Sequence, residues 1–83
     1  MRLLISPGAR RDLRKLPRGV AERAVAAIDA LAETPRPPGC KLLRDYDPPT
    51  WRIRVGDWRI LYEIADEVRT VTVTGVRHRS KAY

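Results

Sequence analysis

The sequence predicts an α+β fold: an N-terminal helical hairpin packed on one face of a small, mainly antiparallel four-stranded sheet, in the order β-α-α-β-β-β. Three observations predict it. Apolar residues recur at helical spacing as far as Leu31. From Trp51 onward the apolar period is two. Proline-rich breaks, Thr34 to Gly39 and Asp47 to Thr50, separate the two regimes. The 83 residues make a single domain, 1–83, without repeats or low complexity. Apolar residues make up 43% and phenylalanine is absent, so Trp51, Trp58 and the aliphatic residues are expected to fill a thin core. A chain this short is marginally stable alone, and a partner that adds buried area would help it persist.

Leu3-Leu4-Ile5 reads as a short strand. Ser6 and Pro7 are a helix-start signal, a capping hydroxyl followed by proline at the first helical position. This helix is expected to reach about Leu16, with Ala9, Leu13 and Leu16 inward; Pro17 stops it and Arg18-Gly19 turn the chain. Val20, Ala24, Ala27, Ile28 and Leu31 then form one apolar stripe of a second helix. The short break at Pro17 makes the two an antiparallel hairpin. Lys41-Leu42-Leu43, between the two proline-rich breaks, is expected to pin the connection to the core.

Trp51, Ile53 and Val55 alternate with Arg52 and Arg54, and Gly56-Asp57 is a two-residue hairpin signal. Trp58, Ile60, Tyr62 and Ile64 alternate with Arg59, Leu61 and Glu63. A turn at Asp66-Glu67 leads to a last strand with Val71 and Val73, in which Gly75 marks a bulge or a close approach. The hairpin register puts Arg54 opposite Arg59, with Arg52 on the same outer face. Continued through Asp66-Glu67, it puts Arg59 beside Thr74 and Glu63 beside Thr70. Like charges directly opposite across two strands are unfavourable by up to roughly 1 kcal/mol. An anion between the two guanidinium groups removes the clash, and bidentate arginine–phosphate contact is the obvious way. A merely solvated face on an Arg-rich protein is the other reading.

The net charge of +7 points the same way, toward nucleic acid or another polyanion. Of 17 basic residues only Lys15, Lys41 and Lys81 are lysine. A GC-rich genome would produce the same bias, so composition alone leaves both readings open. Cys40 is the only cysteine and His78 the only histidine, which excludes an internal disulfide and an ordinary zinc site. No stretch is apolar enough to cross a membrane, and the run before Pro7 is too short for a signal peptide, so a cytoplasmic protein is expected. The tail Arg77-His78-Arg79-Ser80-Lys81-Ala82-Tyr83 is basic with an aromatic end, suited to phosphate contact and base stacking.

The segment Trp51-Arg-Ile-Arg-Val-Gly-Asp-Trp-Arg-Ile-Leu-Tyr-Glu-Ile64 resembles the central hairpin of the RelE/ParE toxin superfamily. Val76-Arg-His-Arg-Ser-Lys-Ala-Tyr83 resembles its basic, tyrosine-ended C-terminus, and Lys41-Leu42 matches a recurrent pair before the hairpin. With the order of elements, the resemblance covers essentially the whole chain. It implies the RelE-like microbial RNase fold and a toxin of a type II toxin–antitoxin system. RelE-like members enter the ribosomal A site and cleave mRNA there. A cognate antitoxin wraps and neutralises the toxin, and operator DNA is reached only through the antitoxin. By position, the residues that hold and polarise the RNA match Arg52 and Arg54, and the arginine that stabilises phosphate charge matches Arg59. The tail arginine and terminal tyrosine match Arg77 and Tyr83. Lys41, Arg44, Arg79 and Lys81 are expected to add contacts to RNA or ribosome.

The chain departs from the best-known member, which has lysines where Arg52 and Arg54 stand. Arginine stays protonated, so it clamps phosphate but is a poor proton donor and no base. The implied reaction is attack of an RNA 2′-hydroxyl on its own 3′-phosphate, with cations stabilising the phosphorane and no metal or cofactor. The acid or base must then be Tyr83, His78, Glu63 or the terminal carboxylate. Three rival readings share the scaffold: a ParE-like inhibitor of DNA gyrase, a non-catalytic basic nucleic-acid-binding module, and a degraded toxin kept as an antitoxin partner.

Overall fold

The computed structural model describes residues 1–81. A first strand, Arg2–Ile5 (β1), turns directly into the helix Pro7–Arg14 (α1). Ser6 is extended and its hydroxyl accepts the Ala9 N–H at 3.1 Å, which satisfies one of the free amides at the helix start. A second helix spans Arg18–Leu31 (α2). Arg18 and Gly19, expected to turn the chain, are therefore its first residues. Pro17 alone makes the break: it is extended, and its carbonyl already accepts the Ala21 N–H at 2.8 Å. The stripe on α2 is buried as its period requires, with Ala24, Ile28 and Leu31 inside.

The sheet has five strands, one more than expected. Lys41–Leu42 (β2) is a two-residue strand along Trp51–Val55 (β3), and neither of its residues is buried. Leu43 is the residue of that connection that reaches the interior. Trp58–Ala65 (β4) and Thr70–His78 (β5) complete the order β1-β5-β4-β3-β2. Only β1 and β5 run parallel. Gly56, at φ +59, is the only positive-φ residue of the β3–β4 turn, the pattern of a type II′ hairpin with glycine first. That turn gives the expected register, with Val55 beside Trp58 and Arg54 beside Arg59.

The β4–β5 register differs from expectation, by two residues near the turn and by three farther along. Asp66 to Arg69 form a four-residue connection rather than a two-residue turn, closed by Arg69 in the left-handed region at φ 48. A bulge follows. Leu61 pairs with Gly75 and Tyr62 with Val73, which leaves Thr74 without a partner. Arg59 therefore stands beside Arg77, and Glu63 beside Thr72.

The core lies between the two helices and the inner face of the sheet. Its largest fully buried side chains are Tyr62, Ile28, Leu31, Ile60, Val71 and Val73. Trp51 and Trp58, expected to fill the core, are only partly buried at its margin. Both sit near strand ends, whereas Tyr62 is central and takes the large aromatic place. Its hydroxyl donates to the Pro35 carbonyl at 2.8 Å and so ties down the proline-rich loop. Burial pushes the Tyr62 phenol well above its ordinary value, which keeps it a neutral donor. Arg36 fixes the same loop from outside, paired with Asp66 at 2.9 Å and lying over the Trp51 ring at 5.3 Å. Among the described residues no helix is long and apolar enough to cross a membrane.

Candidate functional site

Strand alternation sorts the basic residues onto one outer face. Residues paired directly across strands share a face, so Arg54, Arg59 and Arg77 form one row across β3, β4 and β5. The row covers two strand spacings, roughly 10 Å. The next row on the same face holds Lys41, Arg52, Leu61 and Gly75. The sequence-predicted grouping of Arg52, Arg54 and Arg59 is thus present, and Arg77 and Lys41 join it.

The arginines differ in how they are held. Arg54 is exposed. Arg59 is half-buried, and its Nη1 donates to the carbonyls of Gly56 at 3.3 Å and Trp58 at 3.2 Å. Arg52 is 7% exposed, with one Nη1 contact to the Gly39 carbonyl at 3.3 Å and a buried Nε that has no partner among the described residues. None of these three forms an ion pair with a carboxylate among the described residues. Arg77 does: its Nη1 contacts Asp12 Oδ2.

The remaining sequence-predicted residues scatter. Glu63 is on the arginine face beside Thr72, but four residues along β4 from Arg59, roughly 13 Å away. His78 pairs with Trp58 and so faces the opposite side from Arg59 and Arg77. Its ring is 5.1 Å from the Trp58 ring, edge to face, and Nδ1 accepts the Ser80 N–H at 3.3 Å. Arg44 is exposed in the loop after β2. Arg79 donates its N–H to the Asp57 carbonyl at 2.7 Å and its guanidinium approaches the Asp57 carboxylate at 3.8 Å, which ties the tail to the β3–β4 turn. Lys81 is exposed beside a cavity of about 550 Å³ between α1 and the end of β5. Tyr83 lies outside the described residues.

Sequence reasoning missed Asp12. It stands on α1, 65 residues from its partner Arg77, and nothing local marks it. Gly75, expected to mark a bulge or a close approach, borders the bulge at Thr74 and is closely approached by the guanidinium of Arg77. Chemically, the face offers several cations at strand spacing, with no counter-charge on Arg52, Arg54 or Arg59 among the described residues. That suits a chain of phosphates better than a single small anion. Among the described residues no cluster of His, Cys, Asp and Glu is arranged to hold a metal ion.

Comparison with known proteins gives the family and the fold. The family described as "ParE toxin of type II toxin-antitoxin system, parDE" matches residues 3–83. Toxin RelG of Mycobacterium tuberculosis (strain ATCC 25618 / H37Rv) is 40% identical over 76 residues, spanning 90% of this chain and 86% of that protein. A chain of the M. tuberculosis toxin–antitoxin complex RelBE2 superposes with a TM-score of 0.81 at 35% identity, covering 94% of this chain and 96% of its own. The isolated Escherichia coli RelE toxin superposes with a TM-score of 0.79 at 26% identity, covering 98% of this chain and 86% of its own.

Proposed function

Because the chain belongs to the RelE/ParE superfamily of type II toxin–antitoxin toxins, we propose that it stops translation by cutting mRNA in the ribosomal A site, as a metal-independent endoribonuclease. The observation that carries this reading is the pairing of Arg54 with Arg59, like charges held face to face with no carboxylate partner among the described residues. A sheet selected for stability alone gains nothing from that pair, and a phosphodiester between them reverses its sign.

In the proposed reaction the 2′-oxygen attacks its own 3′-phosphorus and the bond from phosphorus to the 5′-oxygen breaks. The products are a 2′,3′-cyclic phosphate and a free 5′-hydroxyl. The 2′-hydroxyl proton goes to a base, and one proton returns to the 5′-oxygen. Arg54 and Arg59 offset the charge that builds on the phosphorane oxygens, and Lys41 holds the neighbouring phosphate, with the buried Arg52 adding positive charge behind it. None of these residues serves as the base, since guanidinium does not release its proton. His78 faces away and Glu63 stands far along β4. Of the candidates, Tyr83 and the terminal carboxylate remain, and we assign the proton transfer to Tyr83. Alignment of the 2′-oxygen on the ribosome supplies much of the rate.

A cognate antitoxin completes the proposal, supported by relatives whose structures are toxin–antitoxin complexes. Its acidic or apolar segments would cover the basic face, and through it alone would the toxin reach operator DNA. The ribosome and mRNA as targets place the protein in the cytoplasm. Growth arrest and cleavage of ribosome-bound mRNA, scored for Arg59→Ala and Tyr83→Phe, test the assignment. Wild-type activity in both variants discards it. The second reading, a ParE-like inhibitor of DNA gyrase, draws on one observation: the arginine row itself carries no acid–base group among the described residues. A gyrase poison leaves double-strand breaks in DNA, whereas an mRNA nuclease stops protein synthesis first.

A further inference from the structure

We propose that Asp12 and Gly75 form a seat that holds Arg77 ready for a phosphate, with Asp12 acting as a positioning residue. This rests on the reading that the arginine face takes a phosphodiester. The seat follows from the way the sheet ends. β1 pairs with β5 only as far as Ile5 beside Val73. Beyond that point the edge of β5 has no neighbouring strand, and α1 lies along it instead. The Val76 N–H on this edge needs an acceptor. Asp12 provides one: its Oδ2 accepts the Val76 N–H at 2.9 Å and the Arg77 Nη1 as well.

Gly75 shapes the floor of the seat. The Arg77 side chain folds back along β5 and lies across it. A methyl group on residue 75 would stand 2.8 Å from Nη1 and 3.2 Å from Cζ, closer than packed atoms allow. Nη1 is further fixed by the Val76 carbonyl at 3.2 Å. All the hydrogen bonds of this guanidinium run through Nη1, so the donors on Nε and Nη2 have no partner among the described residues. The side chain is 43% exposed. One end of the fork is anchored and the other is presented outward. Among the described residues Arg54 has no such anchor, and Arg59 is held by carbonyls alone. Asp12 also offsets one positive charge of the row, which eases the approach of Arg77 to Arg59. Among the three arginines Arg77 is thus preset, and a phosphate meets it without first having to order it.

The test is a set of single-turnover cleavage rates on ribosomes carrying a defined mRNA. The variants are Asp12→Asn, Gly75→Ala, Arg77→Ala and the double variant Asp12→Asn with Arg77→Ala. Asp12→Asn retains an acceptor for the Val76 N–H, so thermal melting separates loss of fold from loss of position. The expected result is a fall of about ten- to a hundredfold for Asp12→Asn and for Gly75→Ala, the scale set by a misplaced charged group. The double variant should be no slower than Arg77→Ala alone. If Asp12→Asn costs the same factor with and without Arg77, Asp12 does not act through Arg77 and the proposal is overturned. A wild-type protein that cuts no mRNA defeats the nuclease reading instead. The seat is then read by NMR, where the Arg77 Nε–H signal should shift in Asp12→Asn, and an unshifted signal overturns the proposal.

Discussion

Replacing Arg54 with threonine should make this protein more stable and a weaker binder of RNA. Arg54 is exposed, stands directly opposite Arg59 and has no carboxylate partner among the described residues. Opposed like charges cost up to roughly 1 kcal/mol, and exposure to water places this pair nearer 0.5 kcal/mol. Threonine is the better strand former by about a few tenths of a kcal/mol. The expected gain is therefore about 0.5–1 kcal/mol, or roughly 2–8 °C in melting temperature for a domain of this size. The electrostatic part should fade in 1 M salt, where the screening length falls from about 10 Å to about 3 Å. In the opposite direction, the salt dependence of single-stranded RNA binding should lose about 0.7 of a log–log slope unit, the share of one phosphate contact. Urea denaturation at about 0.1 M and 1 M salt, with anisotropy of a labelled RNA, measures both. A variant that is less stable than wild type at low salt, or equally favoured at both salts, refutes the idea that the two arginines repel until an anion arrives.

Three further outcomes follow from the core and the loops. Ile28→Ala removes a side chain that is 1% exposed and should cost about 2–5 kcal/mol, a large share of the roughly 4–12 kcal/mol expected for a domain of this length. Urea denaturation checks it. Tyr62→Phe deletes the hydrogen bond to Pro35 and should cost about 1 kcal/mol, with faster amide exchange at Cys40, whose N–H is bonded to Pro37 in the loop that the hydroxyl anchors. The Arg36 guanidinium beside Asp66 holds that carboxyl below the ordinary carboxylate range. A carboxyl depressed in the folded state adds stability above its unfolded value, and that stability is lost as pH falls through its folded value. Asp66→Asn should therefore be less stable than wild type at neutral pH and equal to it once Asp66 is protonated in acid, as thermal melts across pH would show.

How far the fold could be read from the chain depended on local signals. Ser6-Pro7 and the apolar stripe from Val20 to Leu31 are self-contained, and both helices appear where they point. Gly56-Asp57 fixes the β3–β4 register within two residues, so the opposition of Arg54 and Arg59 was legible. The β4–β5 register was not. Its connection carries neither glycine nor proline, and Arg69 takes the left-handed conformation without a residue type that advertises it. β2 escaped because two residues carry no period. Asp12 escaped because its partner lies at the far end of the chain, where only the packing of α1 on β5 brings them together. The placement of His78 away from the arginines follows from the same unreadable register.

Thr74 holds a position of parity. Side chains on a strand point alternately up and down, so one unpaired residue reverses the orientation of everything after it relative to the neighbouring strand. With Thr74 left out of the ladder, Arg77 falls beside Arg59 and His78 beside Trp58. Were Thr74 instead drawn into the ladder opposite Leu61, with the first part of the strand held in place, the arginine would fall beside Trp58 and the imidazole would face the phosphate side. The chemical character of this surface is thus set by an odd number: closing the bulge without changing any residue would exchange a permanent guanidinium cation for an imidazole.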